Sequence, residues 1–126
     1  MSPWIRITSL AAATVVVFDI AASLASRASG VPYQWAVIGS ICLYAGTGFL
    51  IARAGASGSV LAAALAGVVL GITDATLGWG ASWLIGPGRT GTNLTASTWA
   101  TTLLSVVALA AVVASVGGAL GTRTNP

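Results

Sequence analysis

Four long stretches of this sequence are almost free of charged residues, and this feature limits the possible folds more than any other. Bilayer hydrocarbon is about 30 Å thick, so a helix that crosses it needs about 20 mostly apolar residues between polar ends. We predict such helices at about residues 5–26, 34–52, 58–85 and 94–120. The third stretch is longer than a bilayer requires, and we expect it to tilt, protrude or break near Gly78 and Gly80.

The composition favours a membrane protein and excludes several other classes. Hydrophobic residues make up 56% of the 126 residues and charged residues 6%, against about a quarter charged in a soluble domain. A soluble fold of this size could not hide so much apolar surface. The formal charge of +3 comes from five arginines and two aspartates, which are too few and too scattered for a nucleic-acid interface. With no histidine and the single cysteine Cys42, we expect no metal centre and no disulfide framework.

Helices explain the apolar stretches better than strands do. Polar and apolar residues do not alternate, and the stretches are about twice as long as a barrel strand. Because Asp19 interrupts the first stretch, a retained helix is favoured over a cleaved signal peptide. We therefore expect an all-α fold in which residues 1–126 form one domain, a four-transmembrane-helix bundle. Each half contains an aspartate, an arginine and aromatic residues in the same order, which is compatible with two parallel helical hairpin repeats.

The arginine positions predict an orientation in the membrane. If the N-terminus is cytoplasmic, the inner side carries one arginine more than the outer side, as the positive-inside rule requires. We therefore expect both termini to be cytoplasmic in the inner (plasma) membrane. Most aromatic residues then fall near the outer boundary, and we interpret them as an anchoring belt. The belt consists of Tyr33, Trp35, Trp79, Trp83 and Trp99.

The sequence has only two acidic side chains, Asp19 and Asp74, and both lie inside predicted spans. Ionisable groups in a membrane span usually face a bundle interior, a partner or water. Helices one and three cross in the same direction, and both aspartates lie toward the outer end, so the carboxylates can meet. Since two ionised carboxylates repel in a low-dielectric site, we predict a coupled pair. At least one group should be protonated or paired with Arg27 or Arg89.

Small and polar side chains accompany the two aspartates at helical spacing. Ser23 follows Asp19 by one turn, and a hydroxyl face of helix two lies at a similar depth. On helix three, glycines share a face with Asp74, so another helix can pack closely there. The predicted proton or cation site comprises Asp19, Asp74, Arg27, Arg89, Ser23, Ser40 and Tyr44. The predicted helix-packing glycines are Gly67, Gly71 and Gly78.

A hydroxyl face on helix four lies in the same half of the membrane. Together, the four polar faces fit one shared cavity. The alternative is that these hydroxyls bond back to their own helices and that the small residues serve packing alone. The hydroxyl residues in question are Thr47, Thr98, Thr101, Thr102 and Ser105.

The sequence around the two aspartates resembles known membrane proteins. Asp19–Arg27 (DIAASLASR), Asp74–Trp79 (DATLGW) and Ile85–Arg89 (IGPGR) resemble uncharacterised small four-helix bacterial membrane proteins, which implies no activity. The size, the four spans and the acid in helix one are also similar to small multidrug resistance transporters, which implies proton-coupled export. Those transporters rely on one glutamate in the middle of the first helix. Here Asp19 lies near the far end of that helix, and a second acid lies in helix three.

Two functional classes follow from these patterns. One is a transporter or channel subunit whose intramembrane carboxylates bind a proton or a cation, and the other is a non-catalytic membrane scaffold or assembly partner. No nucleophile with a base and no cofactor motif occurs, and the loops are short, which argues against an enzyme. We also expect a homo-oligomer or a partner membrane protein, because Ala/Gly faces remain for helix packing. These faces include Ala110, Ala114, Gly117 and Gly118.

Overall fold

The computed structural model describes residues 1–55, 59–89 and 95–124, and within these ranges it contains helices and no strand. The predicted all-α fold is confirmed. A 3₁₀ turn, Tyr33–Trp35, precedes the second helix, and a π-helical segment, Asp74–Gly78, joins the third helix to the fourth. The α-helices are α1 (Pro3–Ser29), α2 (Ala36–Arg53), α3 (Ser59–Thr73), α4 (Trp79–Ile85) and α5 (Ala96–Arg123).

Four helical stretches of the described chain are long and apolar enough to cross a membrane, as a small multi-pass membrane protein requires. They overlap the four predicted spans, and the predicted starts at residues 58 and 94 lie outside the described residues. The stretches are Pro3–Ser29, Tyr33–Arg53, Ser59–Ile85 and Ala96–Arg123.

The long third span does not break near Gly78 or Gly80. The helical path continues through both glycines to Ile85, and the irregular part is the π-helical segment that ends at Gly78. There the Trp79 N–H donates to the carbonyl of Asp74, five residues earlier, so the backbone stays hydrogen-bonded. π-Helical turns inside α-helices are rare overall, but those that occur often lie at functional sites. The irregularity thus coincides with one of the two acids.

Glycines without side chains let α5 pack closely on α2 and α3. A Cβ atom at Gly48 would collide with the backbone carbonyl of Ala114, and one at Gly117 with that of Ala45. Gly67 and Gly71, two of the predicted packing glycines, also face the α5 backbone. Such close backbone approach is the usual way in which membrane helices associate without a hydrophobic driving force.

The small-residue face of α5 packs against other helices of the same chain. We expected this face to remain free for association, but the structure buries it against α2 and α3 because its small side chains admit both neighbouring backbones. Association stays a prediction, and it needs other surfaces. The buried residues are Ala110, Ala114, Gly117 and Gly118.

Helix α1 joins the bundle through a polar face. Within the described ranges its backbone lies close to α2, α3, the π-helical segment and α4 but not to α5, although Val15 belongs to the same core cluster as Ala110 of α5. Its buried residues are Thr8, Val15, Asp19 and Ser23. Helix α1 runs parallel to the third span, since Asp19 lies against Gly78 and the Arg27 Nη1 donates to the Ile85 carbonyl at 3.2 Å. This register brings Asp19 to the π-helical segment.

Candidate functional site

The two aspartates meet where α1 contacts the π-helical segment. Asp19 is 1% exposed, and Asp74, the first residue of the segment, is partly buried. Both carboxyl groups lie over Gly78, where an added Cβ would collide with Asp19 Oδ2 and would lie 3.1 Å from Asp74 Oδ1. The two carboxyl groups therefore lie side by side over this glycine. Gly78 therefore makes the room in which the acids meet.

Two tyrosines donate hydrogen bonds to the acid pair. The Tyr33 hydroxyl donates to Asp19 Oδ1 at 3.2 Å, and the Tyr44 hydroxyl donates to Asp74 Oδ2. Tyr44 lies on α2 and is 1% exposed, whereas Tyr33 begins the 3₁₀ turn before that helix. Each tyrosine thus donates a hydrogen bond to one oxygen of one acid. The oxygens left over, Asp19 Oδ2 and Asp74 Oδ1, are the two that lie over Gly78.

One carboxylate oxygen of the acid pair has no hydrogen-bond donor. Asp19 Oδ2 is buried and has no hydrogen-bond partner among the described residues. A buried acceptor without a donor costs about 1–3 kcal/mol, and two ionised carboxylates at this distance also repel. A proton held between the acids would remove both costs, because it supplies the missing donor and neutralises one charge. The geometry therefore favours a pair that shares one proton.

The structure does not bring Arg27 and Arg89 to the carboxylates. Arg27 donates to the carbonyl of Ile85, and the Arg89 Nε donates to the carbonyl of Trp83 at 2.8 Å. The Arg89 guanidinium also lies 4.5 Å from the Trp83 ring centroid. Both cations thus cover carbonyls at the C-terminal end of α4, where positive charge is favourable. Of the two predicted ways to stabilise the acids, a shared proton fits this arrangement.

Two buried serines extend the polar cluster toward the helix ends that carry Arg27 and Arg89. Ser23 and Ser82 are each 0% exposed, and neither hydroxyl has a hydrogen-bond partner in the described part of the chain. Ser23 follows Asp19 by one turn and Ser82 follows Gly78 by one turn. Because α1 and α4 pack in parallel register, the two serines lie level with each other.

A pocket of about 190 Å³ opens beside the acids between α2 and α5. Both acids and both tyrosines line it, together with the predicted Ser40 and with Thr102. Residues 95–101, at the start of α5, are exposed, and Trp99 lines a small groove with Trp79 and Trp83. The remaining wall is mainly apolar and includes Trp79 and Val106. The pocket leaves open space beside the acids and the two tyrosines.

Several predicted hydroxyls bond to their own helices instead. Thr47 donates to the carbonyl of Leu43, Thr101 to that of Ser97 and Thr102 to that of Thr98. Thr98 and Ser105 are exposed. Serine and threonine side chains commonly make such bonds in helices. Helix α5 thus contributes less polarity to the cavity than its sequence indicates.

Tyr33 and Ser82 belong to the cluster but were not among the predicted site residues. Tyr33 is one of the predicted belt residues, yet it lies 14 residues after Asp19 and its hydroxyl donates to that acid. The turn at Gly30, which has a φ of 74°, makes this return possible. Ser82 could have been found from the sequence, because Asp74, Gly78 and Ser82 recur at one-turn spacing on a single helix.

The described residues contain no group of three or more histidine, cysteine, aspartate or glutamate side chains that could hold a metal ion. Any ion at the acid pair would therefore need hydroxyl or backbone oxygens as additional ligands. Comparisons with protein-family models, curated proteins and solved structures find no match.

Proposed function

We propose that this chain is a subunit of a membrane transporter or channel in which Asp19 and Asp74 bind a proton or a cation. The observation that supports the proposal is the buried Asp19 Oδ2, which has no donor, lies beside a second acid and adjoins an open pocket. Buried polar atoms in a purely structural contact are normally hydrogen-bonded. An acid that is left incomplete at membrane depth is a binding group by default.

Proton binding would change the force between α1 and the third span. With one proton bound, the pair carries a single negative charge. When the proton leaves, two negative charges repel each other across the contact between α1 and the third span. Helix α1 packs on the bundle less extensively than α2, α3 and α5 pack on one another. A change of charge can therefore shift the position of α1. This coupling is how ion binding would drive a transport step.

The test is flux through the purified full chain in proteoliposomes. Asn resembles Asp in size but cannot take up a proton. We therefore expect Asp19→Asn and Asp74→Asn each to abolish the proton flux that a pH gradient drives, while the protein stays folded. A pH-sensitive dye inside the vesicles measures it. Thr73→Val is the matched control, because Thr73 adjoins Asp74 in sequence but bonds to its own helix at Val69. Wild-type flux in both Asn variants, or none in the wild type, would refute the proposal.

A non-catalytic scaffold is the second candidate, and it is favoured by the position of the acid pair at the junction of α1 and the third span. In that role the pair would specify helix packing rather than bind an ion. Both Asn variants should then lower the thermal unfolding temperature, and the wild type should show no flux. The two candidates therefore predict different outcomes in the same set of variants.

We expect both termini to be cytoplasmic. Arg53 donates to the carbonyl of Thr124 at 3.4 Å, so the C-terminal ends of α2 and α5 lie on one side. This side also carries Arg6 and Arg123, and its surplus of one arginine over the side of Arg27 and Arg89 favours the cytoplasm. C-terminal fusions to green fluorescent protein and to alkaline phosphatase should report an internal C-terminus. An external C-terminus on most molecules, or an even split, would contradict a single orientation of this kind.

A further inference from the structure

We propose that Arg27 and Arg89 together bind the phosphate group of an anionic membrane lipid. The two arginines are far apart in the sequence, but both line one cavity of about 560 Å³ at the end of α4. A cavity of this volume is large enough for a small ligand or a headgroup. The site is separate from the acid pair, because Arg27 lies two turns beyond Asp19 and no described residue lines both cavities.

Arg27 and Arg89 are two positive charges without an acid beside them. The sequence has only two acidic side chains, Asp19 and Asp74. These meet over Gly78, where two tyrosines donate hydrogen bonds to them. No acidic side chain is left to neutralise the arginines. Any anion that neutralises them therefore comes from outside the chain.

Each guanidinium is held in place by one hydrogen bond and keeps further donors. The Arg27 Nη1 donates to the Ile85 carbonyl at 3.2 Å, and the Arg89 Nε donates to the Trp83 carbonyl at 2.8 Å. These are the hydrogen bonds that the two side chains make to described residues, whereas a guanidinium has five N–H donors. The remaining donors suit phosphate oxygens, which arginine binds with paired hydrogen bonds. The fold thus holds two arginines ready for one anion.

The cavity lies at the depth of the lipid headgroups. It is formed where α1 and the third span end, at Ser29 and Ile85. Trp83 lies in the last turn of α4, and tryptophan is enriched at the boundary between membrane and water. Basic pockets between membrane helices bind phosphate-bearing headgroups. The anion that is always present at this depth is the lipid itself.

Apolar surface beside the arginines favours a lipid over a free phosphate. Leu84 lines the same cavity and is 73% exposed. The Arg89 guanidinium lies 4.5 Å from the Trp83 ring centroid, and the same ring lines a small groove with Trp79 and Trp99. A lipid can place its phosphate on the arginines and a chain along this apolar surface, whereas a free phosphate uses the arginines alone. The ligand that matches the site is therefore anionic and amphipathic.

The test is native mass spectrometry of the full chain in mild detergent, titrated with dioleoylphosphatidylglycerol. We expect one saturable lipid site per chain. Dioleoylphosphatidylcholine has the same chains and the same phosphate, but its choline adds a cation that the arginines repel, so it should bind about tenfold more weakly or less. Glycerol 3-phosphate carries the phosphate without chains, and at the same concentration it should not displace the lipid.

Substitution of the arginines locates the lipid. Arg27→Gln and Arg89→Gln should each weaken phosphatidylglycerol binding about tenfold, the loss of one charge-assisted interaction. Arg53→Gln is the matched control, because Arg53 also donates to a backbone carbonyl and lies over an aromatic ring, that of Phe49, but at the opposite side of the bundle. This variant should bind phosphatidylglycerol as the wild type does.

Four results would overturn the site. Equal affinity for the two lipids would show that the arginines do not select an anion, and wild-type affinity in both arginine variants would place the lipid elsewhere. An equal loss in Arg53→Gln would indicate a response to net charge alone. Displacement by glycerol 3-phosphate would assign the site to a soluble phosphate compound instead of a lipid. If an arginine variant does not fold, the preference of the wild type between the two lipids decides the question.

Discussion

Gly78→Ala is expected to separate the acid pair while the bundle stays folded. The new methyl group would collide with Asp19 Oδ2, which lies at the end of a side chain and can rotate away, whereas no backbone atom is among its three nearest neighbours. The carboxylate would then lose its place beside Asp74. We expect proton or cation flux to fall about tenfold or more, because a displacement of the Asp19 carboxylate by about an ångström is enough for such a loss. Flux in proteoliposomes and infrared carboxyl bands in lipid measure the effect.

Gly80 provides the matched control for this prediction. It lies in the same span, and an added Cβ there meets no atom within 4 Å. Gly80→Ala should therefore keep both the flux and the carboxyl bands of the wild type. If Gly78→Ala also kept them, or if the bands of Asp19 did not change when Asp74 is replaced by Asn, the two acids would be independent. The site described above would then be two unrelated polar residues.

Gly48→Ala is expected to destabilise the whole bundle rather than the acid pair. Its Cβ would collide with the carbonyl oxygen of Ala114, a backbone atom of α5 that cannot move alone. Overpacking of this kind costs typically about 1–3 kcal/mol, and the upper part of that range applies because two helix backbones must separate. The free energy of unfolding can be measured by tryptophan fluorescence during titration with a denaturing detergent.

Gly46 is the control for the packing prediction, two residues earlier on the same helix. An added Cβ at Gly46 lies in open space, and alanine favours a helix over glycine by about 1 kcal/mol. Gly46→Ala should therefore leave the free energy of unfolding unchanged or raise it by up to about 1 kcal/mol. Equal losses of stability in the two variants would show that α2 does not pack on α5 at Gly48.

Gly48 and Gly78 show why glycines with the same sequence signature have different roles. Gly78 is one of the predicted packing glycines, and Gly48, which lies four residues before Ala52, has the same spacing of small residues. In the fold, Gly48 meets a backbone carbonyl, whereas Gly78 meets a carboxylate. The pattern alone cannot distinguish these neighbours, because it describes one helix and not the atoms that oppose it.

Hydropathy and segment length alone predict the four helical spans, and they also predict that the two acids lie at similar depth. Apolar length sets a membrane span, and alternating directions make the first and third spans parallel, so Asp19 and Asp74 had to lie at similar depth. The partners of the acids depended on the tertiary structure. Arg27 binds α4 carbonyls, while Tyr33 reaches Asp19 from the following turn.

The tertiary structure also decided which small residues stayed free and where the third span changed its geometry. The α5 face at Ala110 and Ala114 is buried because α2 and α3 offer glycines at matching heights. The π-helical segment begins at Asp74, where that acid and Asp19 share the space over Gly78. Helix periodicity and hydropathy are properties of one segment, so the sequence specifies them locally. Contacts depend on the rotation and register of two segments, and only packing sets those.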